Sequence, residues 1–140
     1  MLIRNLRDCQ KVIAGDRSVL RELLHPDKAA LKLHYSLAHA TVLPGRKTVP
    51  HRLRTSEVYY ILSGKGGMRI NDEQCPVRAG QAIYIPPGAR QHIDNPGRTQ
   101  LTFLCIVDPA WRKEDEVVEQ ASRKPKSIHR LHRLSPDGNL

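Results

Sequence analysis

From about residue 18 to residue 107 the chain alternates apolar and polar positions in short runs, and Pro and Gly cut the runs apart. A period of two, enriched in β-branched residues, marks strands that bury one face. The runs that fit are SVLRELL (18–24), LKLHYSLAHATVL (31–43), SEVYYILSG (56–64), GGMRIN (66–71), CPVR (75–78), QAIYIP (81–86), QHIDN (91–95) and LTFLCIV (101–107). Between them Pro44-Gly45, Gly64 to Gly67, Asn71-Asp72 and Pro86-Pro87-Gly88 supply residues suited to tight turns. Many short strands with such turns, and no internal repeat, predict an all-β barrel or sandwich.

Beyond Val107 the pattern changes. Asp108 before Pro109 suits an N-cap with proline at the first helical position, so a short helix is expected through WRKEDEVVEQA. Its apolar residues Trp111, Val117 and Val118 make a thin stripe that needs another surface to pack on. From Arg123 the segment RKPKSIHRLHRLSPDGNL has too little apolar content for a core, and disorder is the expectation there. The length of 140 residues holds one domain with a real core. The organisation expected is an N-terminal segment at 1–17, a β-barrel at 18–107, and a C-terminal helix with a basic tail at 108–140.

The net charge of +9 invites an anionic partner. However, Lys and Arg are scattered, and one Phe and one Trp leave little for base stacking, which argues against nucleic acid. No apolar run approaches the roughly 20 residues that cross a bilayer, and MLIRNLRDCQ lacks the apolar stretch of a signal peptide. A cytoplasmic protein without a membrane partner is expected. Cys9, Cys75 and Cys105 are odd in number and lack metal-type spacing, which suits reduced thiols, with Cys105 the best candidate for a buried one.

Two spaced blocks carry the chemistry. The first is Gly45, five residues, His51, one residue, Leu53, three residues, Glu57, six residues, Gly64. The second is Gly80, five residues, Pro86, one residue, Gly88, two residues, Gln91, three residues, Asn95. This spacing resembles the signature of the cupin superfamily, in particular its small single-domain, mannose-6-phosphate isomerase-like members. The resemblance implies a double-stranded β-helix, or jelly-roll barrel, and a divalent metal ion held by three His and one Glu at the positions of His51, Leu53, Glu57 and Gln91. Two of these depart: Leu53 has no electron pair to donate, and Gln91 offers only a neutral amide oxygen. The remaining metal candidates are His51, Glu57 and Gln91, and the metal they imply is weakly bound or absent.

Parity sorts the neighbours. If Glu57 points into the barrel, Tyr59 and Ile61 follow it, while Val58, Tyr60 and Leu62 face outward as an apolar stripe that a second copy would cover in a homodimer. Gln91, Ile93 and Asn95 share one face, and His92 turns inward only through a β-bulge. His34 and His39 read as surface or interface residues, and His25, His129 and His132 carry no chemical signal. Glu57 without a cation would take up a proton or pair with a neighbour such as His51, a workable acid/base unit.

The function expected is therefore a barrel that binds a small polar molecule, a sugar or sugar phosphate among the candidates, through His51, Glu57, Tyr59 and Gln91. His51, Glu57 and Tyr59 are the catalytic candidates should it catalyse. The rivals are a metal-dependent isomerase, epimerase or dioxygenase, and a non-catalytic ligand-sensing module. Among Arg52, Arg54, Lys65 and Arg90 no phosphate-binding group stands out.

Overall fold

The computed structural model describes residues 1–120, and the tail expected from Arg123, with His129 and His132, lies outside them. The fold is all-β, as the alternation predicts. One antiparallel sheet contains β1 (Lys11–Ile13), β2 (Val19–Leu24), β3 (Ser36–Val42), β5 (Ser56–Ser63), β8 (Ala82–Ile85) and β10 (Leu101–Asp108) in the order β1-β2-β3-β10-β5-β8. The other contains β4 (His51–Leu53), β6 (Lys65–Ile70), β7 (Glu73–Arg78), β9 (Gln91–Asp94) and β11 (Glu116–Val118) in the order β11-β4-β9-β6-β7. Strands distant in sequence are neighbours in both sheets, which is the jelly-roll arrangement.

The core follows from side-chain parity. On β3 residues Ser36, Ala38, Ala40 and Val42 are buried, and on β10 so are Leu101, Phe103, Cys105 and Val107. Register then matches large to small: Phe103 lies opposite Ala40, and Cys105 opposite Ala38. Tyr59 packs its ring 4.4 Å, centroid to centroid, from Phe103. Met68, Val77 and Ile93 of the second sheet complete the same cluster. The thiol of Cys105 is buried, as its apolar surroundings predict.

Polar groups fix the loops. Asn95, almost fully buried, donates through Nδ2 to the carbonyls of Val42 and Thr99, and its Oδ1 accepts from the Gly97 amide. Thr48 exchanges hydrogen bonds with the Ile93 backbone through its hydroxyl. The loop between β3 and β4 is thereby tied to the end of β9, and buried polar atoms there are satisfied.

Two expectations need correction. The long run 31–43 is strand only from Ser36, since residues 26–30 turn before it. The helix expected after Pro109 does not form: a 3-10 turn at Lys113–Asp115 leads into β11, which pairs with β4 through Glu116↔Leu53, Val117↔Arg52 and Val118↔His51. Two valines bury too little to hold a helix, whereas the open edge of β4 offers unpaired backbone groups that a strand satisfies at once. Among the described residues no helix is long and apolar enough to cross a membrane.

Glycine geometry at the motif positions separates two costs. Gly64 has φ +86°, and a Cβ there would sit 2.6 Å from the Gln100 carbonyl oxygen, whereas Gly45, at φ +73°, has open space. Gly64→Ala should therefore destabilise by about 3 kcal/mol and Gly45→Ala by about 1 kcal/mol. Urea denaturation of both variants checks the difference, and equal losses would show that backbone conformation alone sets the cost.

Candidate functional site

The inward residues of β4, β5 and β9 converge as their parity predicts. His51, Glu57, Tyr59 and Gln91 are all buried. His51 and Gln91 are cross-strand partners, and the Gln91 side chain reaches across to the facing sheet. There Tyr59 Oη donates to Gln91 Oε1 at 3.0 Å, and Gln91 Nε2 donates to Glu57 Oε1 at 3.0 Å. His51 holds its ring through Nδ1 and the Val49 carbonyl, 2.9 Å apart.

In front of this chain lies a cavity of about 260 Å³. His51, Glu57 and Tyr59 line it together with Leu53, Phe103 and Val107, while Gln91 sits behind them and is not part of its wall. Three acidic residues that the sequence reading missed also line it, Asp16, Glu22 and Glu116, of which Glu22 is paired with Lys28. Asp16 Oδ1 caps its own turn by accepting from the Ser18 amide and hydroxyl, and its Oδ2 stands 4.0 Å from His51 Nε2. The imidazole thus faces Asp16, and of the two alternatives expected for Glu57, a proton or a pairing with a neighbour such as His51, the pairing with His51 does not form here. Glu116 arrives on β11 and accepts from Trp111 Nε1. An Asp in a Gly-Asp-Arg-Ser turn reads only as a turn former, and Glu116 was assigned to a helix, so neither carried a usable signal.

Trp111 reaches the cavity because the chain after β10 is pinned to β3. The Ala110 amide donates to the His34 carbonyl, and the Trp111 amide to Ser36 Oγ. The His25 ring bonds the Trp111 carbonyl at 2.7 Å, a structural role for a histidine without chemical signal in the sequence. His92 stays on the outer face, opposite Arg69 across the β6–β9 pair, and no bulge redirects it. Burial holds its pKa below the usual imidazole value, with Arg90 and Arg69 adding to the effect.

The donor set does not fit a metal. Leu53 points a hydrocarbon into the cavity, and the Gln91 amide is committed at both ends, its oxygen to Tyr59 and its nitrogen to Glu57. Among the described residues no three His, Cys, Asp or Glu side chains are grouped to hold an ion. What the arrangement does instead is hold protons. Burial pushes the Glu57 carboxyl up to about 8, with Asp16 and Glu116 repelling its charge and the bond from Gln91 opposing the rise. Tyr59 and Cys105 are raised well above their ordinary values, also chiefly by burial.

Between its unfolded pKa, near 4.5, and about 8, folded Glu57 holds a proton that the unfolded chain releases. Stability must fall as pH rises through that window. Glu57→Gln, which keeps a neutral side chain and the acceptor for Gln91, should flatten the decline, and above pH 8 it should exceed wild type by a few kcal/mol, on the order set by the shift. Thermal melts of both proteins from pH 5 to 9 check this. Parallel curves would place the proton elsewhere.

With this geometry established, comparison with known proteins is informative. The model of the Cupin_2 family, described as the cupin domain, matches residues 38–107. An uncharacterised protein of Methanocaldococcus jannaschii is 43% identical over 76% of this chain and 86% of its own length. An oxalate-binding protein of Thermotoga maritima is 29% identical over 75% of this chain and 83% of its own. Among solved structures, the crystal structure of a predicted oxalate decarboxylase from Thermotoga maritima superposes with a TM-score of 0.69 at 24% identity, covering 77% of this chain and 99% of that one. The two spaced blocks, the jelly-roll sheets and these matches agree: the chain belongs to the cupin family, as a small Cupin_2 barrel.

Proposed function

We propose that this barrel binds a small polar molecule in its cavity without a metal ion, using His51, Glu57, Tyr59 and Asp16 as the polar contacts and Gln91 as the residue that positions two of them. The observation that carries this reading is the cavity itself: a space of about 260 Å³ open to solvent on one side, a largely apolar wall and a few convergent buried polar groups. A metal-dependent isomerase, epimerase or dioxygenase needs donors that Leu53 and the committed Gln91 amide do not supply. The hydroxyls of an unphosphorylated sugar suit the mixed donors and acceptors of His51, Glu57 and Tyr59. A sugar phosphate suits them less, because Arg52, Arg54, Lys65 and Arg90 are absent from the cavity wall, and Arg90 is paired with Glu119.

Native mass spectrometry of the full, untagged chain tests the reading. A small molecule retained by wild type and lost in Ala38→Leu, which fills the cavity from β3, is the expected result. Retention by both proteins would move the site elsewhere.

The metal side of the reading has its own test. Leu53→His together with Gln91→His restores two imidazoles at positions facing the cavity and beside it, and zinc affinity in calorimetric titration should rise at least about tenfold over wild type. Equal affinities would mean that other residues hold the ion.

The outer face of the first sheet supports a homodimer within the same proposal. Tyr60 and Leu62 are each 41% exposed and Tyr84 63%, and Val58 lies opposite Tyr84 across the β5–β8 pair. This contiguous apolar stripe suits a two-fold contact with a second copy. Light scattering should give twice the chain mass of 15.9 kDa, and Tyr60→Glu should halve it. A wild-type mass of a single chain would overturn the dimer.

A further inference from the structure

We propose that the ligand of this cavity is an organic cation, an ammonium or guanidinium group carried on a small apolar body. The inference rests on the cavity-binding reading above and narrows it to one charge class. Although the chain carries a net charge of +9, four carboxyl groups line this one cavity, those of Asp16, Glu22, Glu57 and Glu116, and the proton that Glu57 holds at neutral pH is one that a cation bound beside it displaces. Among the described residues the only lysine or arginine on the wall is Lys28, and it is paired with Glu22.

Two of these groups reach the cavity from buried positions. Glu57, 6% exposed, accepts from Gln91 at Oε1 and has the Tyr59 hydroxyl beside its carboxyl. Asp16, 8% exposed, spends Oδ1 on Ser18, and its Oδ2 stands 4.0 Å from the His51 ring nitrogen. A cationic donor in the cavity gives both carboxyl groups a charge-assisted hydrogen bond. Phe103, Tyr59 and Trp111 on the same wall supply aromatic faces that attract cations, and Leu53 and Val107 supply the surface for an apolar body. An anion meets the opposite situation. A dicarboxylate such as oxalate would enter against these acidic groups, and among the described residues no unpaired lysine or arginine on the wall receives it.

Three molecules that share one body and differ in charge test the proposal: 3,3-dimethylbutylamine as the cation, 3,3-dimethylbutan-1-ol as the neutral form and 3,3-dimethylbutanoate as the anion. Calorimetric titration of the full chain at pH 7 should give the amine roughly tenfold or more tighter binding than the alcohol, and the carboxylate the weakest of the three. The only tryptophan, Trp111, lines the cavity, so its fluorescence should change on amine binding. Asp16→Asn and Glu57→Gln should each weaken the amine about tenfold more than they weaken the alcohol. If a variant does not fold, the wild-type series still decides. Alcohol or carboxylate binding as tightly as the amine overturns the charge assignment and leaves the cavity reading standing. Amine binding that neither alters Trp111 nor responds to the variants places the site elsewhere and also overturns it. No binding by any of the three overturns the charge assignment, and the retention test with Ala38→Leu decides the cavity reading separately.

Discussion

Two buried hydrogen bonds, Tyr59 to Gln91 and Gln91 to Glu57, join the facing sheets of this barrel, and the character of the site depends on them. Gln91 belongs to one sheet and its two partners to the other. An amide has one accepting and one donating end, so placed between a hydroxyl and a carboxyl it fixes the direction of the whole chain. Both ends are then used. A histidine at this position would leave a nitrogen free for a metal, whereas the glutamine offers a neutral amide oxygen that already accepts from Tyr59. The same contact orients Glu57 so that its other oxygen is left for the cavity.

Strand parity separates the charges of this molecule. On β4, His51 and Leu53 face in while Arg52 is exposed; on β9, Gln91 and Ile93 are buried while His92 is turned to the other side beside Arg69. Residues adjacent in sequence therefore occupy opposite electrostatic surroundings. Among the described residues no lysine or arginine is buried, whereas two carboxyl groups, those of Asp16 and Glu57, are. Net charge alone points toward an anionic partner, and the distribution inside the cavity points the other way.

The fold was legible because its signals are local and repeated. Alternation in SEVYYILSG, QHIDN and LTFLCIV directly encodes which residues face the core, and the positive-φ glycines Gly45, Gly64, Gly80 and Gly88 all fall at turns of the two blocks. His51, Glu57, Tyr59 and Gln91 were legible as neighbours for the same reason. The third dimension was not. That Gln91 stands behind the wall depends on its reach across to β5, and that His51 faces Asp16 depends on a turn more than thirty residues earlier. The C-terminal segment failed differently, since Asp108-Pro109 carries a genuine helix-start signal. Propensity over a few residues was outweighed by the open edge of β4, which no local pattern reveals.

The cavity is closed by two segments that the motif does not contain. The turn between β1 and β2 carries Asp16 and is bound to the start of β4, with the Val49 amide donating to the Asp16 carbonyl at 2.7 Å. On the other side β11 brings Glu116 along the edge of β4. The two meet at Gly15, where a Cβ would lie 3.1 Å from Glu116 Oε1 and 3.2 Å from Val118 Cγ2. A side chain at Gly15 would have to press on Glu116 or Val118, so the small residue is what lets the edges of the two sheets approach. Conserving the barrel motif while varying these two edges would retain the fold and change the carboxylates that the cavity presents, which makes the edges, more than the motif, the place where ligand charge is set.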